Sequence, residues 1–397
     1  MALFIGLMSG TSLDGVDGVL ADWSENKPRV LAHAHQAFPA QWRSELLALN
    51  TVGPNELHRA ALAANEVSRS YAAVVARLLQ DANVPAAEVS ALGAHGQTVR
   101  HQPLAHDGTG YTLQLINGAL LAELTGIGTV CDLRSRDVAA GGQGAPLVPA
   151  FHAGMFGQPG KDVAVLNIGG IANLTLLPAD GSVSGFDCGP GNALMDGWCE
   201  RHTGQAYDAG GAWAASGQVH HGLLQNLLGE PFFAKAPPKS TGRDLLHLAW
   251  VDRGLLEVPQ GKSASLSPPD VQATLTELTA ACAATALQQH APRTATLLVC
   301  GGGAFNQHLM ARLQAQLPAV EVVSTAEVGV PPDQVEALAF AWLTQHEGPR
   351  EPRKGQGSYR GTWPAGAGRL VPRLKLEALR PFPGPFALTR AHHRVRG

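Results

Sequence analysis

Apolar residues along this chain fall into two rhythms: short unbroken runs, and longer stretches that repeat every three to four positions. The first run, Leu3-Phe4-Ile5-Gly6-Leu7-Met8, passes through Ser9-Gly10-Thr11-Ser12-Leu13-Asp14-Gly15 into Val16-Asp17-Gly18-Val19-Leu20-Ala21. That reads as strand, tight turn of small hydroxyl residues and returning strand, with a third strand over 29–36. Leu57, Ala61, Ala64, Val67, Tyr71, Val74 and Leu78 recur at three and four, which predicts a helix over 54–82 with one buried stripe. Residues 89–98 predict a short strand ending in the turn around His95 and Gly96. A strand over 111–116, a helix over 118–125 and an apolar stretch at 128–134 lead into the Gly-rich loop 139–146.

The second half repeats this plan. Residues 163–168 are a near-continuous apolar run, as expected of a strand covered on both faces. The run breaks at Gly169-Gly170 and returns through Leu174–Leu177. Ser267 is a plausible N-cap, with Pro268 in the first turn, for a helix over 267–289 striped by Val271, Leu275, Leu278, Cys282 and Leu287. A strand over 296–300 enters Gly301-Gly302-Gly303 and a helix marked by Phe305, Leu309, Leu313 and Leu317. Element order therefore suggests a duplication with a repeat of roughly 160 residues. The expected fold is α/β: two halves facing each other across a cleft, with ligands at the carboxyl ends of the strands. A chance recurrence of Gly-rich turns in a chain with 46 glycines is the rival reading.

Composition narrows the class. The chain has 397 residues, 45% hydrophobic and 15% charged, with a net charge of −3. That excludes a disordered protein and argues against nucleic-acid or membrane-surface partners. Five cysteines without a CxxC pair read as reduced thiols. The start lacks a basic n-region and no apolar run is long enough to cross a bilayer, so a cytoplasmic protein without a signal peptide is expected. From Gly348 to Gly397 there are eleven Lys or Arg against two acidic residues, which predicts a mobile basic tail.

Three glycine turns can cradle phosphates by letting a backbone come close: Gly10-Thr11-Ser12, Gly169-Gly170 and Gly301-Gly302-Gly303. No P-loop, Rossmann fingerprint, HExxH or GxSxG occurs. Asp14 and Asp17 put negative charge beside the first turn, which suits a divalent cation or a proton transfer, or else a capping role. Asp187, in Gly185-Phe186-Asp187-Cys188-Gly189-Pro190-Gly191-Asn192, lies where a strand ends in a Gly-Pro-Gly turn. There it either caps the turn or accepts a proton from a hydroxyl or water.

The segment Gly6–Asp17 resembles the opening of anhydro-N-acetylmuramic acid kinases. The resemblance continues through 94–101, 132–139, 141–146, 167–173, 185–192, Pro238-Lys239-Ser240-Thr241-Gly242-Arg243, 301–306 and 335–341. It implies two duplicated RNase-H-like domains of the actin, hexokinase and Hsp70 type, at 1–145 and 146–346, with 347–397 as a tail that partly returns to the first. It implies Mg2+ and ATP held by Gly10, Thr11, Ser12, Leu13, Asp14, Gly15, Val16, Asp17, Gly169, Gly170, Gly301, Gly302 and Gly303, with Asp14 on the metal side. It also implies that the 1,6-anhydro bond of the sugar is hydrolysed and O6 phosphorylated, with Asp187 as base. His95, Gln97, Asp132, Arg134 and Glu336 are then candidates for the sugar. A kinase of the same fold acting on a free hydroxyl, or an ATP-dependent binding module, are the alternatives, and a homodimer is left open. Cys188 departs from the family pattern, which has Thr there, and the extension beyond Gly361 matches it only loosely.

Overall fold

A computed structural model describes residues 2–25, 27–242, 245–258, 266–347 and 369–371. The elements are mixed α/β throughout. The strands are β1 (Leu3–Met8), β2 (Gly15–Asp22), β3 (Arg29–Ala37), β4 (Val89–Ala94), β5 (Gln97–Pro103), β6 (Gly110–Leu115), β7 (Thr129–Cys131), β8 (Val163–Ile168), β9 (Ile171–Leu177), β10 (Ser184–Pro190), β11 (Thr296–Cys300), β12 (Glu321–Ser324) and β13 (Arg369–Val371).

One sheet runs β13-β7-β4-β1-β2-β3 and the other β10-β9-β8-β11-β12. In each, three consecutive strands form an antiparallel meander, β1-β2-β3 or β8-β9-β10. The fourth and fifth, β4 and β7 or β11 and β12, add in parallel on the other side of the first. The same order built twice is the duplication expected from the sequence, the RNase-H-like arrangement of the actin and hexokinase type. β8 is buried at every position, so its unbroken apolar run follows from cover on both faces.

The long helix is Glu56–Ala82, and its buried stripe begins at Ala63 and continues through Val67, Tyr71, Val74 and Leu78. Leu57 and Ala61, at the head of the expected stripe, are exposed. Helix Pro268–His290 has its Ser267 cap, whose hydroxyl accepts from Asp270 N–H. Helices Ala40–Ala48 and Pro149–Phe156 and strand β5 were not expected. Pro149–Phe156 is apolar nearly all round, with Phe151, His152 and Phe156 buried, so it carries no amphipathic stripe to read.

Helix Val335–Glu347 follows the second sheet in sequence but packs on β1, β2 and β4 of the first. Gly6 and Gly93 are paired neighbours there, and a Cβ on either would run into the helix backbone at Ala337 or Phe340. Two adjacent glycines make a flat seat, and the helix rests on it at Ala337, Phe340, Ala341 and Thr344. Residues from both sheets and this helix close a shared core that includes Met8, Val165, Leu298, Phe151 and Phe340. In the tail, β13 pairs antiparallel with β7 as an edge strand. The other tail positions, and Arg243, lie outside the described residues. Among the described residues no helix is long and apolar enough to cross a membrane.

Candidate active site

The two glycine hairpins meet. A Cβ on Gly170 would press on Thr11 Oγ1, so the turn of the second sheet is seated on the turn of the first through a position that only glycine fills. The Gly169 and Gly170 carbonyls accept from the N–H groups of Asn192 (2.7 Å) and Gly191 (3.1 Å) at the start of helix Asn192–Thr203. Gly301, at φ 78°, donates its N–H to Pro332 O, and its space is bounded by Asn167 and Ile168. Gly10, Thr11, Ser12, Gly169, Gly170 and Gly301–Gly303 are thus gathered at one end of the two sheets.

Neighbouring residues of the first turn have other tasks. Leu13 and Val16 are buried in the core of the first sheet, and Gly15 lies against the Gln36 backbone. Asp14 is exposed and accepts from Ser12 Oγ at 2.6 Å. Asp17 lies 2.9 Å from His35 Nδ1 and 3.7 Å from His33 Nε2. Burial alone would push Asp17 up, but the two histidines beside it, His35 through a hydrogen bond, hold it below the ordinary carboxylate range. Tyr71 ties two turns together: its hydroxyl bonds Ser9 Oγ at 2.8 Å and accepts from Gly96 N–H at 3.1 Å.

Around the cleft the sequence candidates form one network. Arg134 donates Nε–H to His95 Nε2 at 2.9 Å and Nη1–H to Gly144 O at 2.6 Å. His95 Nδ1 is 3.1 Å from Ser9 O, a pure acceptor, so His95 is neutral with its proton on Nδ1. Burial and the Arg134 charge hold it well below the usual histidine range. Both His95 nitrogens are therefore engaged within the protein, and its position is that of a support for Arg134. Burial lowers Arg134 to about 10, against the opposing pull of Glu336, Asp187 and Asp137. Asp137 also shapes the loop, accepting from Gly144 N–H at 2.7 Å. Burial raises Glu336, with Arg134 and a hydrogen bond to Asn167 acting the other way. Asp132 is exposed, in left-handed backbone at φ 57°.

Asp187 is the buried acid of the set, 6% exposed. Its Oδ2 accepts from Thr241 N–H at 2.9 Å and its N–H donates to Lys239 O at 3.1 Å. Burial raises it to about 6, against the Thr241 hydrogen bond and the charges of Arg134 and Lys239. It pairs across the sheet with Asn173, which pairs in turn with Asn167. Asn173 Oδ1 and Gln97 Oε1 are buried acceptors without hydrogen-bond partners, while Gln97 Nε2 donates to Gly10 O at 3.0 Å. Buried acceptors call for donors. Asn167, Asn173, Lys239 and Thr241 all stood inside the quoted motifs without being singled out.

With this geometry in view, a family model described as anhydro-N-acetylmuramic acid kinase matches residues 2–356. The chain belongs to that family. It is 60% identical over 348 residues to the anhydro-N-acetylmuramic acid kinase of Variovorax paradoxus, covering 86% of this chain and 92% of that protein. The protein of the same name from Albidiferax ferrireducens is 59% identical over 364 residues, covering 87% and 92%. The chain is accordingly a kinase. Among solved structures, a ROK family glucokinase from Streptomyces griseus in complex with glucose and AMPPNP is similar at 14% identity and TM-score 0.41, covering 87% of this chain and all of that one. An activator of 2-hydroxyisocaproyl-CoA dehydratase from Clostridium difficile is similar at 11% identity and TM-score 0.46, covering 90% and 99%.

Proposed function

We propose that the chain uses water to open the 1,6-anhydro bond of anhydro-N-acetylmuramic acid while O6 takes the γ-phosphoryl group of ATP, giving N-acetylmuramic acid 6-phosphate and ADP. The observation that carries this reading is the Asp187 carboxyl, buried between two neighbouring cations and raised to about 6. An anhydro sugar has no free O6 hydroxyl to deprotonate. The proton that must be removed belongs to a water attacking C1, and a carboxylate ionised just below neutral pH is suited to take it. As the new C1–O bond forms, the C1–O6 bond breaks and its electron pair passes to O6. O6 bonds the γ-phosphorus and the bond to ADP breaks. The phosphoryl group thus stands in for the acid that a glycosidase uses on its leaving oxygen.

Gly10, Thr11, Ser12, Gly169, Gly170 and Gly301–Gly303 would hold the phosphates through backbone N–H groups. Among the described residues no cluster of three His, Cys, Asp or Glu side chains could hold a metal. Mg2+ commonly rides on phosphates with one or two carboxylates, and exposed Asp14 fits that part. The cation would offset phosphate charge there. Arg134 would meet an anionic group of the sugar, and the open acceptors on Asn173 and Gln97 would take its N–H or hydroxyl donors. Turnover in heavy-oxygen water tests the reaction: label is expected at C1 of the product sugar. Label in the phosphate instead would refute it.

A further inference from the structure

Lys239 is 7% exposed and faces acceptors. Its Nζ donates to the carbonyls of Phe232 (3.2 Å) and Phe233 (2.9 Å) and lies 4.9 Å from the Phe232 ring centre and 5.9 Å from that of Phe186. Burial lowers the Lys239 ammonium from its usual range, and the two carbonyls and two ring faces form a cation site that works against this. A buried cation needs a reason, because burying it costs free energy. The reason lies in the main chain of the same segment. Lys239 O accepts the Asp187 N–H, and two residues on, Thr241 N–H donates to Asp187 Oδ2. Ser240 between them bonds Gln143 Oε1 at 3.3 Å, from the loop that Arg134 and Asp137 organise.

We propose that Lys239 is a positioning residue for Asp187: its buried ammonium anchors segment 239–241, whose carbonyl and N–H fix the carboxylate, and its charge favours the ionised form. This rests on Asp187 being the base. The groups that bear on Asp187 are Arg134 from the loop after β7, Lys239 from the segment and the Cys188 thiol beside it on β10, while Cys282 from helix Pro268–His290 faces Lys239. Burial holds both thiols protonated, so Lys239 and Arg134 are the charges that set the carboxylate.

The test is the pH profile of kcat/KM. Lys239→Met keeps the apolar stem and removes the charge, so the acid limb is expected to move up by about one pH unit. Activity then falls about tenfold on the acid side and returns toward the parent value at alkaline pH. Lys239→Arg, which keeps a cation, is expected to lie nearer the parent. A purely structural role would lower activity equally at every pH. If Lys239→Met is not recovered folded, Lys239→Gln carries the test, since it also removes the charge and its limb must also rise. An unmoved limb, a uniform loss, or failure of both variants to fold overturns the proposal. Asp187→Asn separates the two readings. Full activity in that variant overturns the base itself, whereas its loss beside an unmoved limb in Lys239→Met overturns only the role of Lys239.

Discussion

Each sheet carries a cross-strand row with one carboxylate at its turn end, and the two rows use it in opposite ways. In the first, Met8, Asp17 and His35 are cross-strand neighbours; in the second, Asn167, Asn173 and Asp187 are. Asp17 sits on the middle strand of its meander beside a histidine and is held below the ordinary range. Asp187 sits on the edge strand beside an amide, is buried, and is raised to about 6. One residue type in two settings becomes a fixed anion in the first row and a titratable one in the second. The duplication supplies the place, and the neighbours on the next strand supply the chemistry.

The largest effect that sharpens this contrast is on turnover. Asp187→Asn is expected to lower kcat by about 10²–10⁴-fold, the usual range for a general base, with nucleotide binding by titration calorimetry unchanged. The same substitution has an opposite effect on stability. Raising a carboxyl from 3.8 to about 6 costs about 3 kcal/mol while it is ionised. The native chain takes up this proton more readily than the unfolded chain does. The penalty is therefore fully present above pH 6, shrinks as the pH falls, and is gone below 3.8. Thermal melts should show Asp187→Asn more stable than the parent at pH 8 and equal to it at pH 3.5. Equal stability at both would mean the carboxylate is not desolvated.

A second contrast separates the sheets where they face the shared core. The first presents paired Gly6 and Gly93 to helix Val335–Glu347, and the second presents paired Val165 and Leu298. The glycines bring Glu336, in the first turn of that helix, down to the cleft beside Asn167. Gly93→Ala would drive a methyl against Phe340 O and Thr344 Oγ1, with an expected cost of about 1–3 kcal/mol in urea unfolding. A neutral result would show that the helix can slide on its seat.

Much of this was legible in the sequence, for a definable reason. Apolar runs and glycine turns are local signals, so both hairpins, the helix at Ser267 and the Asp187 turn were visible. What was not legible depends on residues distant in the chain. Arg134 reaches His95 across 39 positions, and Asp187 is gripped by Lys239 and Thr241 from a segment with no periodicity. Tyr71 reads as one more core residue in a helical stripe, and only the fold shows its hydroxyl joining the Ser9 and Gly96 turns. Likewise Asp17 and Asp187 are equivalent as letters, and burial pushes both up; the histidines beside Asp17 make the difference.

The smallest expected effect tests the passive row. His35 is raised above 6.5, first by its hydrogen bond to Asp17 and then by the charges of Asp17 and Asp14, with burial opposing. Its contribution to stability is fully present below 6.5 and is lost as the pH rises through the higher native value. Its side chain is 43% exposed, so the pair is screened and worth less than about 1 kcal/mol. His35→Ala should lower the melting temperature slightly at pH 6, not at pH 9, and leave kcat unchanged. A large rise in the KM for ATP in this variant would break the contrast instead. It would mean that Asp17, once released from its histidine, disturbs the phosphate turn, and that the first row is part of the machinery the second row completes.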